Sequence, residues 1–228
     1  MNTHHEIISK LSMDRPRTNL LKASEQHFLA FLVQHIPAWM HSDLLTVIGL
    51  AGSMTTMAGF ILAHYVHRAL LLLGVLGLII NWFGDSLDGR LAYFRNQPRK
   101  WYGFSLDYTV DWLGNICIGA GYIVYAAGSW EILGFGFVTL YGWAMMTALL
   151  RYKITGKYTI DSGLFGPTEV RIVIALLLTL EVILEGSISW FGAAVCLVLF
   201  IVNLLDFSQL LRLANRRDRE EQALKTTH

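Results

Sequence analysis

Four aspartates stand in two short pairs, Asp85 with Asp88 and Asp107 with Asp111. One pair is three residues apart and the other four, so on helices each pair presents both carboxylates from one face. Carboxylates gathered in a medium of low dielectric repel one another and cannot all stay ionised unaided. A divalent cation removes that difficulty, and oxygen-only ligands point to Mg²⁺, Mn²⁺ or Ca²⁺ rather than zinc. Two such ions sharing a bridging carboxylate favour in-line displacement at phosphorus. Gly89 follows Asp88 directly, and Gly103 lies four residues before Asp107. Each removes a side chain where a nucleotide or a neighbouring backbone comes close.

The elements that must carry these groups are membrane helices. The 228 residues are 54% hydrophobic and only 15% charged, with a mean hydropathy of +0.46, more apolar surface than a soluble domain of this size needs. A net charge of +1 excludes a strongly basic nucleic-acid binder. About 20 mostly apolar residues cross a bilayer, and six stretches qualify: 44–65, 69–94, 104–127, 132–150, 168–184 and 188–211. The expected fold is therefore all-α, an integral membrane six-helix bundle. The first aspartate pair falls near the end of the second span and the second pair near the start of the third. A short connection then brings all four to one depth.

Basic residues set the orientation. Arg90, Arg95, Arg99 and Lys100 surround the connection between spans two and three, and Arg151, Lys153, Lys157 and Arg171 that between four and five. The N-terminal arm adds Arg15, Arg17 and Lys22, and the tail adds Arg212, Arg216, Arg217, Arg219 and Lys225, whereas the opposite turns hold little beyond Arg68. By the positive-inside rule both termini and the aspartates face the cytoplasm. Residues 24–40 mix Phe28, Leu29, Phe31, Leu32 and Ile36 with Glu25, Gln26, His27, Gln34 and His35 before Pro37. That composition predicts an interfacial amphipathic helix, the alternative being a helix packed on protein. The chain thus divides into a cytoplasmic arm with this helix (1–40), a six-span domain (41–214) and a polar cytoplasmic tail (215–228). No early apolar core precedes a small-residue cleavage site, so the first span is expected to insert the chain.

Other chemistry is thin. Cys117 and Cys196 lie in apolar stretches without CxxC spacing and read as small core residues. No HExxH pattern occurs, and His64 and His67 read as polar residues at a membrane border. The absence of a repeat between the halves counts against a transporter built from inverted repeats.

The acidic stretch resembles the CDP-alcohol phosphotransferases, whose signature is D-x-x-D-G-x-x-A-R, then eight or nine residues, then G-x-x-x-D-x-x-x-D. Asp85, Asp88, Gly89, Ala92, Gly103, Asp107 and Asp111 match in order and spacing. The resemblance extends to the six-span plan, the amphipathic N-terminal helix and the stretch Gly166-Pro-Thr-Glu-Val-Arg171. It departs at one position, where the signature Arg is replaced by Tyr93, with Arg95 two residues on. Arg95 substitutes only if the helix end is loosened, since two residues turn a side chain by roughly 200° around a helix.

The resemblance implies a metal-dependent enzyme of phospholipid synthesis. A CDP-linked donor, either CDP-diacylglycerol or a CDP-amino alcohol, loses CMP to the hydroxyl of an acceptor alcohol. It implies Asp85, Asp88, Asp107 and Asp111 as ligands to Mg²⁺ or Mn²⁺, two ions in all, with Asp111 also taking the acceptor's proton. Gly89, Ala92 and Gly103 would leave room for cytidine. Asp43 and Thr46 would line the nucleotide end, Asp43 reading equally well as a helix N-cap. Arg151, Glu169 and Arg171 lie where a polar or phosphorylated acceptor would enter, and Arg suits phosphate because its fork donates two hydrogen bonds. Members of the family are often homodimers, and Gly114, Gly119 and Gly121 serve either internal packing or a subunit contact. The alternatives are a scaffold that keeps the fold without turnover, for which Tyr93 is the hint, and a UbiA-like transferase using a diphosphate. The latter has more spans and widely separated acidic motifs.

Overall fold

The computed structural model describes residues 22–156 and 166–226. Arg15, Arg17, Lys157 and the last two residues of the tail lie outside them. Among the described residues there are seven α-helices and no strand: α1 (Lys22–His35), α2 (Ser42–Tyr65), α3 (Leu71–Phe94), α4 (Lys100–Ala126), α5 (Ile132–Thr155), α6 (Pro167–Ile183) and α7 (Ser187–Thr226). Single 3₁₀ turns, Arg68–Leu70 and Ser129–Glu131, join α2 to α3 and α4 to α5.

Helices α2 to α7 fall on the six apolar stretches, with their largest extensions at the aspartate end. There α4 starts at Lys100, α5 runs on to Thr155 and α7 to Thr226. Nothing in those polar continuations breaks a helix; α5 stops only where Gly156 takes a left-handed conformation (φ 70°) and its N–H closes on the Tyr152 carbonyl at 2.8 Å. Four of the described helical segments are long and apolar enough to cross a membrane: Ser42–Tyr65, Arg68–Phe94, Ser129–Thr155 and Ser187–Lys225. The chain is a membrane protein on that ground. Helix α6 has only 17 residues and includes Glu169, Arg171 and Glu181, while α4 carries Asp107 and Asp111 in its first half. Its length keeps α6 from the same standard, and polar residues keep α4 from it.

The tightest packing joins α2 and α3. Along α2 the buried residues Leu45, Gly49, Gly52, Thr56, Gly59 and Ala63 recur at steps of three and four, and along α3 Gly74, Gly77, Asn81, Gly84 and Asp88 do the same. A Cβ on Gly52 would stand 2.3 Å from the Asn81 nitrogen, and one on Gly84 2.4 Å from the Gly49 nitrogen and the Leu45 carbonyl. The backbones meet where the glycines leave no side chain to hold them apart. Gly114, Gly119 and Gly121 of α4 also pack internally. Gly114 lies against Ser53, Gly119 against Val138 and Gly121 against Met57.

Two apolar clusters fill the ends of the bundle. Phe60, Leu71, Leu78, Ile118, Tyr122, Leu178 and Ile188 lie toward the end away from the aspartates. Leu29, Val33, Leu45, Leu87 and Leu91 lie toward the aspartate end. The second cluster settles how α1 sits: Leu29 and Val33 are buried on α2 and α3 while Phe28 and Phe31 point outward. The helix ends at His35 because Pro37 disfavours helical geometry just before itself. Outward-facing Phe135, Trp190, Leu197 and Val198 give α5 and α7 an apolar exterior.

Candidate functional site

A short connection joins α3 to α4, which packs against α2 and α5 rather than along α3, and the site forms where the aspartates of the two helices face each other. Carboxylate oxygens of Asp85, Asp107 and Asp111 all lie within 4.8 Å of one another. Three of the four aspartates therefore meet across two helices. The fourth falls outside that group: Asp88 accepts from the Thr46 hydroxyl at 2.7 Å and from the Gly89 N–H, while its carbonyl accepts from Ser42 Oγ at 2.7 Å. The face explains the separation, because Asp88 continues the small-residue seam that looks at α2, whereas Asp85 is turned toward α4 and α6.

A cation enters from α6. Arg171 Nη2 donates to Asp85 Oδ2 at 2.6 Å, and Arg171 Nε donates to Asn81 Oδ1 at 2.6 Å. Asn81 is in turn anchored on α2 through its amide nitrogen, 2.9 Å from the Gly49 carbonyl and 3.0 Å from Ser53 Oγ. Beneath the aspartates a small polar cavity takes one polar side chain from each of five helices: Ser53, Asn81, Asp111, Tyr141 and Arg171, with Asn115 alongside. Polar residues at that depth of a bundle are costly unless they face one another, as these do.

Gly89 and Gly103 behave unlike the seam glycines. A Cβ at either would meet nothing within 4 Å, so neither is explained by packing. Ala92 is half-buried one turn further along, where its carbonyl accepts from the Gln97 N–H at 2.9 Å. Asp43 is not the N-cap of α2. The helix begins at Ser42, with His41 before it in extended geometry, and Asp43 in the first turn pairs with Arg99 across the mouth of the site.

The residues expected at an acceptor site separate. Arg171 joins the aspartates. Glu169 accepts from the Gly166 N–H at 3.0 Å and so caps its own helix. Arg151 pairs with Asp206 of α7 at 3.3 Å, both side chains largely buried. Arg95 follows the last residue of α3 and turns to the linker after α1, donating to the Pro37 carbonyl at 2.8 Å and to the Met40 carbonyl. The loosened helix end is present, but the guanidinium goes to the linker. His67 Nδ1 accepts from the Ala69 N–H and His64 lies against the Tyr125 carbonyl, both at the far end of the bundle.

Sequence reasoning missed Asn81, Ser53 and Tyr141. A signal existed for the first, a lone amide within an apolar run, four residues before Asp85 and on the glycine seam. No family model matches the chain.

Proposed function

We propose that the chain is a CDP-alcohol phosphotransferase that transfers a substituted phosphate from a CDP-linked donor to an acceptor hydroxyl and releases CMP. The observation that carries this is the meeting of Asp85, Asp107 and Asp111 within 4.8 Å, beside the open backbone at Gly89 and Gly103. Three carboxylates from two helices suit a hard divalent ion, Mg²⁺ or Mn²⁺, better than zinc. Asp85, Asp107 and Asp111 would hold it, with Asp88 completing a two-ion set if its bond to Thr46 yields. When bound, the ions neutralise the diphosphate and the charge developing on the leaving CMP.

This chain's own residues account for the remaining steps. The acceptor hydroxyl attacks the phosphorus on the side away from cytidine, and Asp111 takes its proton. The bond from that phosphorus to the bridging oxygen breaks, and CMP leaves with the electron pair. Gly89, Ala92 and Gly103 leave space for the nucleotide, while Thr46 fixes the Asp88 carboxylate beside it and Asp43 holds the Arg99 side chain at the mouth of the site. A groove of about 420 Å³ between α1, α3 and α6 is lined by Phe28, Leu78, Ile79, Trp82, Ile172 and Ala175, with Glu25, Thr168 and Arg171 at its polar edge. Open at the side and apolar, it favours a lipid-linked donor.

In this proposal α2 to α7 all span, α1 and the linker after it lie at the cytoplasmic interface with Phe28, Phe31 and Trp39 outward, and both termini are cytoplasmic. Support comes from Trp101 and Tyr102 at the aspartate end and Tyr65 and Trp190 at the other, exposed where aromatic belts form. The partners are then the donor, the alcohol acceptor and membrane lipid, with homodimers as in the family. A scaffold without turnover is the second reading, favoured by Tyr93 and by the engagement of Arg95 with the linker. Purified protein given CDP-diacylglycerol or CDP-choline with candidate alcohols should release CMP with Mg²⁺ and none after chelation. No release from any donor supports the scaffold instead.

A further inference from the structure

Arg171 makes two different kinds of bond. Its Nε end is fixed to Asn81, which is only 9% exposed and tied by its amide nitrogen to Gly49 and Ser53 on the α2 seam. Because that nitrogen faces a carbonyl, which only accepts, the amide oxygen must face the arginine. The Nη2 end lies on Asp85, a member of the three-carboxylate group. One edge of the guanidinium is therefore anchored to the most closely packed part of the bundle, and the other rests on a group that a metal ion would also use. Both side chains of the pair are largely withdrawn from solvent, 14% and 19% exposed, so water screens their attraction little.

We propose that Arg171 is the resident counter-cation of the aspartate cluster, and that it turns about Asn81 from Asp85 to the donor's phosphates when a divalent ion is taken up. This rests on the functional reading above. A guanidinium and a divalent ion are drawn to the same carboxylate and repel each other, so Arg171 weakens ion binding in the free protein. A diphosphate offers the planar fork a bidentate acceptor and relieves the competition. The signature position holds Tyr93 and Arg95 is committed to the linker carbonyls. Arg171 is already at the carboxylates and so within reach of the phosphates, and ion and donor bind synergistically.

Titration of the purified full-length chain with Mn²⁺, with free Mn²⁺ read by electron paramagnetic resonance, tests this with and without CDP. Wild type should bind weakly alone and about tenfold more tightly with CDP, and Arg171→Gln should bind about tenfold more tightly than wild type alone and gain little from CDP. Arg171→Lys keeps the charge but not the fork, so it should bind weakly alone and lose the CDP gain. Wild type binding Mn²⁺ with Arg171→Gln unchanged or weaker overturns the inference and leaves the metal site standing. Failure of wild type and Arg171→Gln alike to bind Mn²⁺ overturns both. Should Arg171→Gln not fold, a full CDP gain in Arg171→Lys is enough to overturn it.

Discussion

Buried acids occupy both ends of the bundle, and they are built differently. Glu181, at the end away from the aspartates, is 2% exposed and receives four hydrogen bonds. Gly186 N–H and Tyr125 OH reach Oε1 at 2.9 and 2.8 Å, and Ile188 N–H and Ser187 Oγ reach Oε2 at 2.8 and 3.0 Å. Three of these donors come from the turn into α7, where Gly186 adopts a positive φ of 82°. Glu181 thus holds a turn and the start of a helix together. Asp85, Asp107 and Asp111 instead come from separate turns of two helices and face one another, with a cation supplied by a third. An acid saturated by nearby backbone donors explains itself, whereas acids gathered from distant parts of a chain against their own repulsion call for a ligand.

The largest test of that contrast exchanges a carboxylate for an amide at each end. Asp111→Asn should lower CMP release by about 10²–10⁴-fold, the range of a lost proton acceptor. Glu181→Gln should leave the rate per folded molecule unchanged. Undiminished turnover in Asp111→Asn would remove Asp111 from the mechanism.

The glycines divide the same way. Gly52→Ala and Gly84→Ala drive a Cβ into backbone at 2.3 and 2.4 Å, which no rotamer change relieves. Each should cost about 1–3 kcal/mol or more in thermal or denaturant unfolding. Gly89→Ala and Gly103→Ala meet open space and should stay within about 0.5–1 kcal/mol, even gaining from better helix propensity. Their expected effect is on the donor, as a raised KM. Equal stability loss at all four glycines would erase the distinction between seam and site.

How much of this was legible in the sequence follows from the range of each interaction. The pair Asp107 and Asp111 is local, since a spacing of four sets a face, and the short connection after Phe94 returns the chain to the depth of Asp85, although α4 packs on α2 and α5 rather than along α3. Six apolar stretches and the stop at Pro37 are local too. Departures arise where partners are distant in the chain. Asp88 belongs with Asp85 by spacing, yet a three-residue step rotates it onto the seam, where Thr46 binds it. Arg95 stands two positions past the place of the signature Arg, but its partners are linker carbonyls some 55–59 residues away. The seam itself is written in steps of three and four, but in a membrane protein both flanks of a glycine stripe are apolar, so no contrast in polarity marks it. Asn81 could be singled out; that it would fix Arg171, 90 residues on, could not.

Glu181→Gln brings the next smaller effect. An amide keeps one oxygen as an acceptor but opposes donors with its own N–H groups, so about 1–3 kcal/mol should be lost as buried donors go unmet. A lower melting temperature at unchanged CMP release per folded molecule is the expected pair of results. A fall in release larger than the fall in folded protein would mean that the far end of α6 communicates with Arg171 at its near end.

The smallest effect is expected where charge is fully exposed. On the tail of α7, Arg217 bonds Glu221 at 2.8 Å and also donates to the Lys153 and Ile154 carbonyls at the end of α5. Such a cation at a helix C-terminus both fills unpaired carbonyls and opposes the helix dipole. Arg217 holds the Glu221 carboxyl below its ordinary value of 4.5. A depressed pKa in the folded state means that the pair's contribution is present above the unfolded value and is lost as pH falls through the folded one. Helicity of the tail, followed by hydrogen exchange at residues 215–226, should therefore weaken only below about pH 4.5 in wild type. In Glu221→Gln that acid step should shrink while exchange near Thr155 stays slow, because Arg217 still reaches the carbonyls of α5. Arg217→Ala should speed exchange at both places. If Glu221→Gln loosens the end of α5 as much as Arg217→Ala does, the carboxylate is steering the arginine, and even an exposed acid of this chain would have a positioning task.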